Sequence, residues 1–212
     1  MSEAKKQGIT APWLYPFMRK VAALLTHSAA FLTIHGAENI PEEAPYMIIA
    51  NHQSFFDAVA VVHAVKKHEI SFMGKKELLK YRITNWFFTN MHCIPVDRGN
   101  TDMGALRASM KTLREGGVLG IFPEGTRHKQ GVMEDLESGA ALIALRSGVP
   151  VIPVYITPKF HFFRRMHLYI GKPIEQRDLR EEGVSTVTCN ALCSRITERY
   201  REMVKLYGGC GK

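Results

Sequence analysis

The chain has 212 residues, enough for one domain with a full hydrophobic core, and 46% of them are hydrophobic. Lysine and arginine number 28 against 20 aspartates and glutamates, and the net charge of +8 favours anionic partners such as phosphates or an acidic membrane surface. The charge is spread along the chain without an RNP-like aromatic motif or zinc-finger spacing, so nucleic acid is not an expected partner.

Residues 1–10 are polar. From 12 to about 34 the pattern is that of an amphipathic helix, with Leu14, Phe17, Val21, Leu24, Leu25 and Leu32 on one arc and Arg19, Thr26 and Ala30 opposite. Trp13 and Tyr15 stand at its start, as aromatics do at membrane interfaces. Two readings stay open for this segment: a helix lying in the plane of a membrane, and a helix packed on the core. No apolar run reaches the roughly 18 residues needed to cross a bilayer. The start also lacks the layout of a cleavable signal peptide. The protein is therefore expected at the cytoplasmic face of a membrane, on it rather than through it. Residues 1–35 are read as a membrane-associating segment and 36–212 as the main domain.

After a turn-rich stretch, Tyr46-Met47-Ile48-Ile49-Ala50 reads as a buried strand and residues 57–65 as a helix. Between them lies Asn51-His52-Gln53-Ser54-Phe55-Phe56-Asp57. A histidine at a strand exit with a carboxylate at the next helix start suits a general base and its orienting partner. Five residues on an ideal helix turn through about 500°, which would separate the two side chains by roughly 140°. They can meet only if His52 precedes the helix. Ser54-x-x-Asp57 also fits a capping box, in which Asp57 satisfies a backbone N–H at the helix start.

Further strands are predicted at 70–73, 92–96, 118–122, 150–156 and 168–170, and helices at 81–91, 101–115, 134–147 and 187–207. Short apolar strands alternating with helices give an α/β fold with a mostly parallel, helix-covered sheet. In such sheets ligands gather at the carboxyl ends of the strands. His52, Lys75, Arg98 and the loop from Glu124 to Arg127 all follow strands. In that loop Gly125 permits close backbone approach and Arg127 offers a planar fork for phosphate oxygens.

With Phe122-Pro123-Glu124-Gly125-Thr126-Arg127 in view, the chain resembles the glycerolipid acyltransferase family, specifically the 1-acyl-glycerol-3-phosphate (lysophosphatidic acid) acyltransferases. The resemblance covers roughly residues 40–175 in four ordered blocks. They are Asn51-His52-x4-Asp57; Gly74-Lys75-Lys76-Glu77-Leu78 with Ile94-Pro95-Val96-Asp97-Arg98; Phe122 to Arg127; and Val149-Pro150-Val151-Ile152-Pro153-Val154. The resemblance implies a glycerol-3-phosphate acyltransferase-like fold and direct acyl transfer, without an acyl-enzyme. His52, oriented by Asp57, would deprotonate the sn-2 hydroxyl of lysophosphatidic acid. The alkoxide would attack the thioester of acyl-CoA or acyl-carrier protein. Lys75, Arg98, Glu124, Gly125, Thr126 and Arg127 would hold the glycerol phosphate. It implies no cofactor and no metal.

Two departures bear on acceptor identity and pocket shape. Glu137 stands where family members often carry a lysine, and the segment 79–90 lacks the usual proline and glycine. A transacylase on another lyso-lipid and a non-catalytic anionic-lipid binder are the alternatives. The absence of a Gly-x-Ser-x-Gly elbow argues against a serine hydrolase. The four cysteines, Cys93, Cys189, Cys193 and Cys210, suggest thiols in a reducing compartment. Cys189 and Cys193 share a helix face but lack a nearby histidine, so helix packing is expected rather than a metal site. Finally, Lys159-Phe-His-Phe-Phe-Arg-Arg165 interleaves bases with aromatics and reads as a loop that dips into an anionic membrane surface, the alternative being a hairpin with a mixed face.

Overall fold

The computed structural model describes residues 10–28, 31–97, 102–123, 138–157 and 160–208. Among these, seven strands form one sheet: β1 (Thr33–His35), β2 (Tyr46–Ala50), β3 (Ile70–Lys75), β4 (Ile94–Val96), β5 (Val118–Ile121), β6 (Val151–Thr157) and β7 (His167–Ile170), in the order β1-β7-β6-β2-β5-β3-β4. Every pairing is parallel except β6 with β7. The sheet is therefore mostly parallel, as the alternating pattern predicts. The helices are α1 (Leu14–Ser28), α2 (Phe56–Ala64), α3 (Arg82–Asn90), α4 (Met103–Arg114), α5 (Ser138–Ser147), α6 (Arg177–Glu181) and α7 (Thr186–Tyr207).

The central strand β2 shows why its sequence is apolar throughout. Met47 and Ile49 enter the cluster shared with α4, α5 and α7, while Tyr46, Ile48 and Ala50 pack with Ala60, Val61 and Ala64 of α2. Successive side chains alternate faces, so a strand covered on both sides needs an unbroken apolar run. One residue in the neighbouring strand breaks the ladder: Pro153 of β6 lies opposite Ile49 and has no N–H to donate. The Tyr200 hydroxyl of α7 reaches this point. Its one proton is shared between the carbonyls of Ile49 and Val154, and its oxygen accepts from Val154 N–H at 3.2 Å.

The predicted helix at 12–34 needs correcting at its end and on its faces. α1 stops at Ser28, and Thr33–His35 instead forms an edge strand parallel to β7. The buried face of α1 is Leu14, Tyr15, Ala22 and Thr26. Ala22 packs with Val59 and Val62 of α2, and the Tyr15 hydroxyl accepts from Ile70 N–H at 2.7 Å. Thr26, expected on the outer side, satisfies its buried hydroxyl on the Ala22 carbonyl at 2.7 Å. Phe17 and Leu24 of the predicted apolar arc face solvent, with Trp13 beside Phe17. α1 thus packs by one face and leaves an apolar one outside. Two short elements, β1 and α6, were not expected. Of the helix predicted at 134–147, residues 134–137 lie outside the described residues.

Candidate active site

His52 lies in the turn between β2 and α2, before the helix begins at Phe56. Its Nδ1 is 3.1 Å from Oδ2 of Asp57, which is fully buried in the first turn of α2. The same oxygen accepts the backbone N–H groups of Gln53 at 2.5 Å and Ser54 at 2.6 Å, and Oδ1 accepts the Ser54 hydroxyl at 3.0 Å. Two backbone donors already converge on Oδ2, so the imidazole meets it as a further donor and carries its hydrogen on Nδ1. In that tautomer Nε2 is the ring nitrogen that carries the lone pair. The capping-box expectation is met by half. Asp57 does hold the Ser54 N–H, but the N-cap is Phe55, which makes no side-chain cap, and the Ser54 hydroxyl turns to the carboxylate.

The turn is held from below by Asn51, fully buried at the end of β2. Its side-chain amide accepts from Ile156 N–H at 2.8 Å and donates to the Ile156 carbonyl at 3.0 Å. The side chain thereby continues the pairing of β2 with β6 by one position, while the backbone turns away. Gln53 adds a second donor to the Ile156 carbonyl at 3.2 Å. Above, Phe122 stacks on the His52 ring with centroids 4.3 Å apart, and Phe72 stacks on Phe122 at 5.5 Å. Gly120 makes this possible: a Cβ there would run into the Phe72 ring.

Of the other predicted site residues, Lys75 ends β3 and is exposed at the edge of the groove described next. Arg98, Glu124, Gly125, Thr126 and Arg127 lie outside the described residues. The flanking Phe122 and Asp97 follow β5 and β4, at the carboxyl edge of the sheet that also carries His52.

A groove of about 560 Å³ starts at His52 and runs between α1, α2 and α3. Its walls include Met18 and Leu25 of α1, Val59 and Val62 of α2, and Phe87 and Phe88 of α3. Phe87 and Phe88 thus wall a cavity, and no residue of α3 is fully buried. On the groove's β3 side Gly74 leaves room for Cys93: a Cβ there would come within 2.8 Å of the Cys93 sulfur. Burial pushes the Cys93 thiol up to about 11. An apolar channel ending at a histidine–carboxylate pair can hold an aliphatic chain with its functional group at the imidazole. A second cavity of about 760 Å³ lies over the opposite face, among α4, α5 and the start of α7, and meets the first at Met73, Gly74 and Phe122. It is the larger, but His52 lines only the first. Among the described residues no group of three or more histidine, cysteine or acidic side chains is placed to hold a metal.

Comparison with known proteins gives a consistent result. The family model for acyltransferases matches residues 31–157. The 1-acyl-sn-glycerol-3-phosphate acyltransferase of Bacillus subtilis (strain 168) is 29% identical, over 91% of this chain and 100% of its own length. That of Streptococcus pneumoniae (strain ATCC BAA-255 / R6) is 30% identical, over 82% of this chain and 68% of its own. Among solved structures, the 1-acyl-sn-glycerophosphate acyltransferase PlsC from Thermotoga maritima superposes with a TM-score of 0.71 at 26% identity, covering 93% of this chain and 79% of that one.

Proposed function

Because this chain belongs to the acyltransferase family, we propose that His52 and Asp57 are its catalytic pair and that the groove beside them takes a fatty chain. The chain transfers a fatty acyl group to the sn-2 hydroxyl of 1-acyl-sn-glycerol-3-phosphate, giving phosphatidic acid. The observation that carries the residue assignment is the 3.1 Å contact between His52 and the buried Asp57, at the head of an apolar groove.

In this reading Nε2 of His52 removes the proton from the acceptor hydroxyl as its oxygen attacks the thioester carbonyl. Asp57 stabilises the imidazolium that forms. The tetrahedral intermediate collapses with cleavage of the carbon–sulfur bond, and the imidazolium returns its proton to the departing thiolate. The thioester comes from acyl-CoA or acyl-carrier protein. Lys75, Arg98 and the segment carrying Glu124, Gly125, Thr126 and Arg127 bind the acceptor's glycerol phosphate, the cations countering the phosphomonoester charge. The exposed apolar face of α1 rests on the membrane that supplies the lyso-lipid, a peripheral attachment at its cytoplasmic face. No helix among the described residues is long and apolar enough to cross a membrane.

Thiol release from an acyl thioester in the presence of lysophosphatidic acid tests this reading. His52→Ala is expected to lose roughly 100- to 10,000-fold in turnover while keeping the wild-type melting temperature. Equal rates in a folded His52→Ala protein would remove His52 from the mechanism. Acyl transfer from a phospholipid donor, with no thiol release from either thioester, would replace the proposed donor.

A further inference from the structure

A thioester whose fatty chain fills the groove has its carbonyl at His52 and needs room beyond it for its sulfur. The second cavity begins at that point, since Met73, Gly74 and Phe122 line both spaces. Phe122 is also the ring stacked on His52. A carbonyl held at the imidazole therefore lies at a junction, with the apolar groove on one side and the second cavity on the other.

The two spaces differ in chemistry. Apart from His52, Lys75 is the one ionisable side chain at the groove besides Tyr15 and Cys93 among the described residues. The second cavity is lined by Asp97, Asp102, Ser138, Arg146, Ser185 and Thr186. Asp102 is committed to the fold: Oδ1 accepts the N–H groups of Gly104 and Ala105, and Oδ2 accepts that of Asp97, each at 2.9 Å. Arg146 is different. It stands in the last turn of α5, is exposed, and forms no ion pair among the described residues. Its charge reaches Cys189 on the same wall, where it opposes the upward push of burial on that thiol. Gly139, in the first turn of α5, lines the cavity too, and seven helical residues rise about 10 Å. The cavity thus runs along α5 from the sheet edge to a free guanidinium.

A second hydrocarbon tail would desolvate these polar walls without giving them partners. The leaving half of the donor matches them better. In acyl-CoA and in acyl-carrier protein alike, the sulfur ends a phosphopantetheine arm, which carries two amides and then a phosphate. Hydroxyls suit the amides, and a guanidinium suits phosphate oxygens.

We propose that the second cavity takes the phosphopantetheine arm of the donor thioester, with its amides along Ser138 and Thr186 and its phosphate at Arg146. This rests on the reading of the groove as the acyl-chain site.

The test compares thioesters of one fatty acid: with N-acetylcysteamine, which stops short of the phosphate, with phosphopantetheine, with coenzyme A and with acyl-carrier protein. The wild type is expected to use the phosphopantetheine thioester with kcat/KM roughly 10- to 100-fold above that of the N-acetylcysteamine thioester. Arg146→Gln should bring that ratio to about one, and Arg146→Lys should keep part of it. Acyl-CoA and acyl-carrier protein should lose equally, because the arm is what they share, while the KM for lysophosphatidic acid holds. Thr186→Trp, at an exposed position on the wall, should raise the KM of every donor that carries the arm and leave the melting temperature unchanged. An unchanged ratio in Arg146→Gln would overturn the proposal, as would a loss confined to acyl-CoA. A rise in the acceptor's KM in place of the donor's would also overturn it and give the cavity to the lyso-lipid. Calorimetric binding of an S-alkyl phosphopantetheine, which cannot transfer its chain, separates this from the acyl-transfer reading. Weaker binding to Arg146→Gln than to the wild type supports the subsite, and if no thioester is turned over the acyl-transfer reading alone fails. Equal binding to both overturns the subsite.

Discussion

The side-chain amide of Asn51 pairs with both backbone groups of Ile156, at 2.8 and 3.0 Å, and so carries the β2–β6 ladder one step past the point where the backbone leaves it. The next residue is His52, whose place relative to Asp57 is therefore set by a hydrogen-bonded pair inside the sheet. Asn51 touches neither the acceptor nor the thioester in the proposed reaction and acts by positioning.

Asn51→Ala leaves the buried N–H of Ile156 without this acceptor and its carbonyl with only the Gln53 amide. It is expected to lower stability by about 1–3 kcal/mol, read from urea unfolding. A positioning role adds a kinetic signature: kcat falls while the KM for the acceptor holds. A stability loss with unchanged kcat would confine Asn51 to the fold.

Asp57→Asn keeps an oxygen for the turn's N–H donors but removes the charge that faces His52. Turnover is expected to fall about 100-fold or more, with little change in acceptor KM. Asp57→Ala also strips the partners of Gln53 and Ser54 N–H, so it is expected to lower the melting temperature as well. Steady-state kinetics and thermal unfolding of the two variants separate the effects.

Lys75→Gln and Arg127→Ala test the phosphate assignment. Loss of a charge-assisted contact is expected to raise the acceptor's KM by roughly 10- to 100-fold, with the donor's KM nearly unchanged. A rise confined to the donor's KM would move these cations to the thioester substrate.

Cys93 reports on the groove. With its thiol pushed up to about 11 by burial, the reactive thiolate is scarce at neutral pH. Alkylation of the Cys93 peptide, followed by mass spectrometry, is expected to be slow at pH 7. It should still accelerate about tenfold per pH unit above pH 9, where an ordinary cysteine has levelled off. A long-chain acyl thioester should protect Cys93, and a short-chain one should protect it less. Equal protection by both would place the chain elsewhere.

Much of this protein is local and therefore legible in its sequence. The unbroken apolar run of β2 signals a strand covered on both faces, as it is. The helix-angle argument requires His52 to precede α2, and it does. The four ordered blocks identify the family, which the family model and the relatives bear out. Other features depend on partners far away in the chain. Asn51 and Ile156 are 105 residues apart, and nothing near either one announces the other. The strand β1 has three residues, too few for a period, and exists by pairing with β7.

The apolar arc of α1 shows the same division. Periodicity revealed an apolar stripe, but which face packs was decided by fit: the small Ala22 lies against α2, whereas Phe17 and Leu24 remain outside. The α/β order of elements, the histidine–carboxylate spacing and the family are all written in local patterns along the chain. Only the tertiary structure decided what lies beside that pair: Phe122 above it, Asn51 and Ile156 beneath it, and an apolar groove leading from it. The reason is physical. Hydrogen bonding and hydrophobic periodicity act along the chain, but a site is made by side chains that meet only once the sheet has closed.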